Sequence, residues 1–206
     1  MDRGFDVVPL AQVVAAENRD QLPRVGIADR TSWSCHHGVL RWSSECPCAS
    51  DGRWKQPLRA ALERLAGGID ALTEVRARGF DPWAVRDAYV DVVIGLVTPR
   101  EFSAHILGID AGIGVRRELE TLMETQRWRL AMFASDGWYW EEPSRPETKQ
   151  VLRSAARAAR LVDGMAGTGL EGRLLDDLAL VQSPTGRVDG VAIYREALAE
   201  VGQDPG

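Results

Sequence analysis

Three cysteines, Cys35, Cys46 and Cys48, stand within fourteen residues of one another, and the chain has no other; His36 and His37 sit beside the first of them. Cys35 and His37 are spaced i, i+2, as are Cys46 and Cys48. In an extended or knuckle-like backbone such side chains leave from one face, with Cα atoms about 7 Å apart, so two arms of this kind can converge on one ion. Three thiolates and one imidazole make the closed tetrahedral set that structural zinc prefers, which names Cys35, His37, Cys46 and Cys48 as candidate zinc ligands, with His36 as an alternative fourth. Gly38 and Gly52 supply adaptable backbone around the loop. The same residues also read as small buried hydrophobes with histidines that hydrogen-bond a loop. Both readings stand at the level of sequence. A thiolate–imidazole catalytic pair is disfavoured, because Cys35 and His36 are adjacent and such pairs are normally assembled from distant parts of a fold. A catalytic zinc would need only three protein ligands and an open position. Cys46-Pro-Cys48 is a poor disulfide, so reduced thiols are expected.

The second concentration of chemistry is "SDGWYWEEP", residues 135–143, where Asp136, Trp138, Tyr139, Trp140, Glu141 and Glu142 share one connector. Indoles beside carboxylates suit flat, polyhydroxylated ligands, and loops between rigid helices are where binding residues collect. Glu141 and Glu142 are unsuited to act alone as a glycosidase pair, because adjacent residues project in different directions. No catalytic residue is assigned. Trp33, Trp42, Trp54, Trp83 and Trp128 read as anchors that pack loops on helices, and His105 as a structural histidine.

The elements that must position these groups are helical. Leu58, Leu62, Leu65, Ile69, Leu72 and Val75 form one stripe over residues 55–78, weakened at Gly67-Gly68. "DPWAVRDAYVDVVIGLV" opens on Asp81 as N-cap with Pro82 at the first helical position. "TPREFSAHIL" repeats the device, with a capping box from Thr98 to Glu101. Further helices are predicted over 115–134, from a second capping box at Ser144 and Glu147 to about Met165, and over 170–182 and 190–201. Strand signals are confined to Val7-Val8 and Val25–Ile27. The expected fold is therefore all-α, a bundle of six or seven helices behind a short irregular N-terminal segment.

Composition agrees with a packed protein: 206 residues, 45% hydrophobic and 27% charged. The net charge of −5 arises from 25 basic and 30 acidic residues interspersed along the chain, which argues against a nucleic-acid partner. No signal peptide and no run of eighteen apolar residues is evident, so a cytoplasmic protein without a membrane partner is expected.

The blocks "TSWSCHHGVLRWSSECPC", "DPWAVRDAYVDVV" and "QRWRLAMFASDGWYWEEPSRPETKQVLRSAARAARL" together resemble, in order from Thr31 to Leu161, the helical C-terminal domain of uncharacterised function that follows the catalytic barrel in glycoside hydrolase family 57-like proteins. The resemblance implies an α-glucan context. In that family a glutamate nucleophile and an aspartate acid lie on an incomplete (β/α) barrel, and the helical domain packs on it and lends aromatics to the cleft. Retaining glycosidases hold their two carboxyls about 5 to 5.5 Å apart on a rigid scaffold, and 206 residues leave no room for such a barrel beside the bundle. The expected organisation is residues 1–30 as a possible remnant of a preceding barrel and 31–206 as the helical domain. The expected role is a non-catalytic accessory domain that offers an aromatic and acidic surface to a barrel or an α-glucan oligosaccharide. A standalone zinc-dependent enzyme, or a scaffold for a separately encoded barrel, are the alternatives. By position the resemblance carries over Trp33, Cys35, His37, Cys46 and Cys48 in the first block, and Gly137, Trp138, Glu141, Glu142 and Glu147 in the last. Trp33 thereby joins Asp136, Trp138, Trp140, Glu141 and Glu142 as a candidate ligand-binding residue. Two departures stand out: Ser135-Asp136-Gly137-Trp138 replaces the family's Ser-Cys-Gly-Trp, and Glu141-Glu142 replaces a pair of aspartates.

Overall fold

A computed structural model describes residues 7–17, 19–77 and 79–201. Residues 1–6 and 18 of the expected N-terminal segment, residue 78 at the end of the helix expected over 55–78, and residues 202–206 of the expected helical domain lie outside the described residues. The fold is all-α: α1 Leu10–Ala16, α2 Lys55–Arg76, α3 Pro82–Ala88, α4 Val90–Val93, α5 Pro99–Leu107, α6 Ile113–Ala131, α7 Asp136–Tyr139, α8 Pro146–Ala166, α9 Leu170–Leu178 and α10 Gly190–Val201. Among the described residues there is no strand, only two isolated bridges, Ser32 to Cys35 and Gln182 to Asp189. Val7, Val8, Val25 and Ile27 are exposed, and α1 buries none of its residues.

The main core lies where α2, α8, α9 and α10 meet. α2 contributes Leu58, Leu62, Leu65 and Ile69, as its stripe predicts, whereas Val75 projects into solvent beyond the end of the contact. α8 is central because its buried face alternates Val151, Leu152 and Val162 with Ala155, Ala156, Ala158 and Ala159, and small side chains let neighbouring helices approach closely. A second core, Val85, Tyr89, Phe102, Leu119, Leu122 and Met123, joins α3 and α5 to α6.

The capping signals are met at two helix starts and fail at a third. Asp81 accepts from the backbone N–H of Trp83 at 2.9 Å and of Ala84 at 3.4 Å. Thr98 and Glu101 form the reciprocal capping box. The box expected at Ser144 and Glu147 does not form: Pro146 holds Arg145 in an extended conformation, so α8 begins at Pro146 and Glu147 pairs with Arg145 instead. The run after Asp81, read as one helix, is divided at Tyr89, whose ring is buried edge-on against Phe102 at 5.2 Å between centroids. Four β-branched residues follow it, and Gly95 at φ 77° ends the run.

α2 runs unbroken through Gly67-Gly68, and packing explains the second glycine. A Cβ at Gly68 would lie 2.7 Å from Leu170 Cδ2, so its absence lets α9 seat on α2. Gly137 plays the same part for the connector: a Cβ there would meet Val151 Cγ2 at 2.4 Å, and its carbonyl accepts from Thr148 Oγ1 at 2.7 Å. The connector is thus a helical turn, α7, pressed against α8, and it delivers residues 139–142 to the start of α2.

Candidate metal centre

Four donor atoms, the Sγ of Cys35, Cys46 and Cys48 and the Nδ1 of His37, lie within 4.8 Å of one another and could hold a metal ion. Cys35 Sγ is 3.5 Å from both Cys46 Sγ and Cys48 Sγ; His37 Nδ1 is 3.0 Å from Cys48 Sγ, 3.6 Å from Cys46 Sγ and 3.8 Å from Cys35 Sγ. A tetrahedral ion with metal–sulfur bonds of about 2.3 Å and metal–nitrogen bonds of about 2.0 Å needs sulfur–nitrogen separations of roughly 3.5 Å and sulfur–sulfur separations of roughly 3.8 Å. Four of these five separations, 3.5 to 3.8 Å, come within about 0.3 Å of that requirement and His37 to Cys48, at 3.0 Å, is tighter; the four residues are the set expected from the spacing. His36, the alternative ligand, is exposed and lies against the His37 ring at 3.8 Å between centroids and an interplanar angle of 42°, outside the donor set. The three cysteines are free of disulfides.

Local turns bring the two arms together. The first arm closes at the Ser32 to Cys35 bridge; a 3₁₀ turn, Leu40–Trp42, reverses the chain; and Ala49 N–H donates to Cys46 O at 2.9 Å to shape the second arm. Gly38 sits at φ 70°, where a side chain would be strained and its Cβ would meet Arg30 O at 2.6 Å. Cys35 and Cys46 are buried, His37 is half-buried and Cys48 faces solvent.

The cluster's electrostatics follow from its crowding. Burial pushes the Cys35 thiol up, but hydrogen bonds from the His37 backbone and from the Cys48 and Cys46 thiols, with Arg41 nearby, outweigh it and hold the group below its ordinary value. Cys48 moves the other way, to about 11, chiefly through its hydrogen bond to Cys35 and then through burial. Cys35 is therefore drawn toward its thiolate and Cys48 toward its thiol.

The loop is fastened to the bundle by the connector. Glu141 accepts from Ser50 N–H at 3.2 Å and Ser50 Oγ at 2.6 Å, and its own carbonyl accepts from Trp54 Nε1 at 2.8 Å. Arg41 donates to Tyr139 O at 3.3 Å and lies over the Tyr139 ring at 4.7 Å. Lys55 donates to Arg41 O at 2.9 Å. Lys55, Arg41, Ser50 and Trp54 were not singled out from sequence as parts of this site, and no local pattern marks them.

The six residues expected to bind a ligand are placed differently from one another. Trp33 is 97% exposed beside the metal loop. Trp138 is 1% exposed and stacked parallel on Trp54 at 6.4 Å, so it is a core residue rather than a stacking surface. Trp140 is 38% exposed under the Arg145 guanidinium at 4.1 Å. Asp136 is exposed at the start of α7; Glu141 clamps Ser50; and Glu142 accepts from Ser144 N–H at 3.4 Å. The structure brings Glu141 to the metal loop and does not gather the six around one cavity.

Residues 51–202 match the family described as Domain of unknown function (DUF3536). The four donors lie in the segment just before that span. No curated protein and no solved structure matches the chain.

Proposed function

The chain belongs to the family matched over residues 51–202, and from its geometry we propose a non-catalytic accessory domain of a glycoside hydrolase family 57-like, α-glucan-related enzyme, with zinc in the Cys35, His37, Cys46 and Cys48 site. Zinc is favoured by the donor set, since three thiolates and an imidazole in a tetrahedron suit a borderline-soft ion with no geometric preference of its own. The zinc is structural: four protein donors fill the coordination sphere, which leaves a standalone zinc enzyme no open position for water.

The observation that carries the accessory role is how the connector's acids are engaged. Glu141 holds the metal loop and Glu142 a turn, so neither is free to serve a glycosidic bond. Val7, Leu10, Val13, Val14, Val25, Ile27 and Trp33 are all exposed along the stretch that leads into the Cys/His loop, and apolar side chains left open in this way suit contact with another protein surface. The resemblance of residues 31–161 supplies that surface as a catalytic barrel, with Trp33 and Trp140 as the aromatics within its reach. The test is incubation of the purified chain with maltooligosaccharides, alone and with a family 57-type barrel. No hydrolysis or transfer by the chain alone, with stable association with the barrel, is the expected result. Turnover by this chain alone contradicts the proposal.

A further inference from the structure

Lys55 is the first residue of α2, and its side chain is 0% exposed. Three features make this a hostile place for an ammonium. Burial removes its hydration. The start of a 22-residue helix carries the positive end of the helix dipole. Arg41, a second cation, is close enough to repel it. Burial first, and then Arg41, push its pKa down to about 8, while Cys46, Glu141 and Cys35 pull the other way. Its hydrogen bond is to the Arg41 carbonyl at 2.9 Å, and it lies 5.6 Å from the centre of the Trp54 ring. Among the described residues no carboxylate is paired with it. A buried charge without a partner is normally replaced or neutralised, and an apolar side chain of similar length would fill the same space.

The neighbouring cluster supplies what Lys55 lacks. A divalent ion bound by three thiolates and a neutral imidazole leaves the centre with one net negative charge. Cys46, Glu141 and Cys35 are the groups whose negative charge acts on Lys55, and two of the three are donors of the site. Arg41, whose carbonyl receives the ammonium, lies in the turn between the two ligand pairs. We propose that Lys55 is the buried counter-charge of the metal centre: its ammonium offsets the net charge of the three-thiolate site while its hydrogen bond ties the turn between the ligand pairs to the start of α2. Metal binding and the seating of the loop on the bundle are thereby one event. Lys55 is a positioning residue and does not ligate.

The inference rests on the zinc reading, and its test separates the two. Lys55→Met keeps the length and apolar stem without charge or hydrogen bond, and Lys55→Gln keeps a donor for the Arg41 carbonyl without charge. Zinc affinity is measured by competition with a chromophoric chelator, and melting temperature is measured on the metal-free and zinc-loaded forms of each protein. Both variants are expected to bind zinc about 10-fold or more weakly, in the range found for outer-shell partners of metal sites. Their metal-free forms should melt no lower than the wild type, because an uncompensated buried charge has been removed. The rise in melting temperature on adding zinc should shrink in both.

Three results overturn the proposal. If Lys55→Gln binds zinc as the wild type does, the hydrogen bond and not the charge matters. If metal-free and zinc-loaded forms fall together, Lys55 serves packing. If both variants keep wild-type affinity, it is no counter-charge. Failure of the wild type itself to bind zinc would remove the metal reading as well, and that outcome is read on the wild type alone.

Discussion

At the scale of single residues, Glu141 shows how a group can look like a binding residue and be a fastener. In the sequence it stands among aromatics, as a sugar-binding acid would. In the fold both carboxylate oxygens receive Ser50, first through its hydroxyl and then through its backbone N–H, and these bonds hold the carboxyl below its ordinary range. A depressed carboxyl pKa contributes stability that is fully present above the unfolded value, about 4.3, and is lost as the pH falls through the folded value. An NMR titration of the Glu141 carboxyl should therefore inflect below that value and move up in Ser50→Ala. An inflection in the ordinary range, or one indifferent to Ser50, would show that the clamp does not persist in solution. Trp138 teaches a related point. Its stretch of sequence mixes carboxylates with aromatics, as a binding loop would, and its burial comes from the core it joins, with Gly137 pressed on Val151 and the Trp54 ring parallel to it. Lys55 was illegible for the same reason, because its burial depends on a loop that sequence places at no particular distance.

At the scale of elements, legibility follows how local each signal is. The Thr98 to Glu101 box lies within four residues and could be read directly. The Ser144 box was overruled by a proline only two residues on. The start of α9 has no local cap at all: Gly169 precedes it, and Asp163, in the last turn of α8, reaches across to the backbone N–H of Leu170 at 2.8 Å and of Glu171 at 2.9 Å. The ligand pairs were legible because their i, i+2 spacing is geometry in itself; what brings the pairs together is the Leu40–Trp42 turn, which composition does not announce. The paired glycines of α2 give a prediction at this scale. A Cβ at Gly67 meets nothing within 4 Å, so Gly67→Ala should stabilise by about 0.5 to 1 kcal/mol through helix propensity. Gly68→Ala should gain nothing or destabilise, because its Cβ would require Leu170 to move. Urea denaturation of the two variants checks this, and equal stabilisation by both would mean that α9 is not seated on α2 as described.

At the scale of the whole molecule, two buried cores hold the bundle, and the Cys/His loop joins it to an N-terminal segment in which α1 buries no residue. No helix among the described residues is long and apolar enough to cross a membrane. The bundle's architecture was open to sequence reading because periodic apolar faces specify helices with little ambiguity. The proposed partner surface was not, since exposed residues bear no pattern until the core is known. The account turns on a single ion that links these parts. Zinc X-ray absorption on the loaded protein measures it most directly: one zinc per chain, with three sulfurs at about 2.3 Å and one nitrogen at about 2.0 Å, is the predicted shell. A chain that takes up no zinc, or a shell dominated by oxygen, would contradict it.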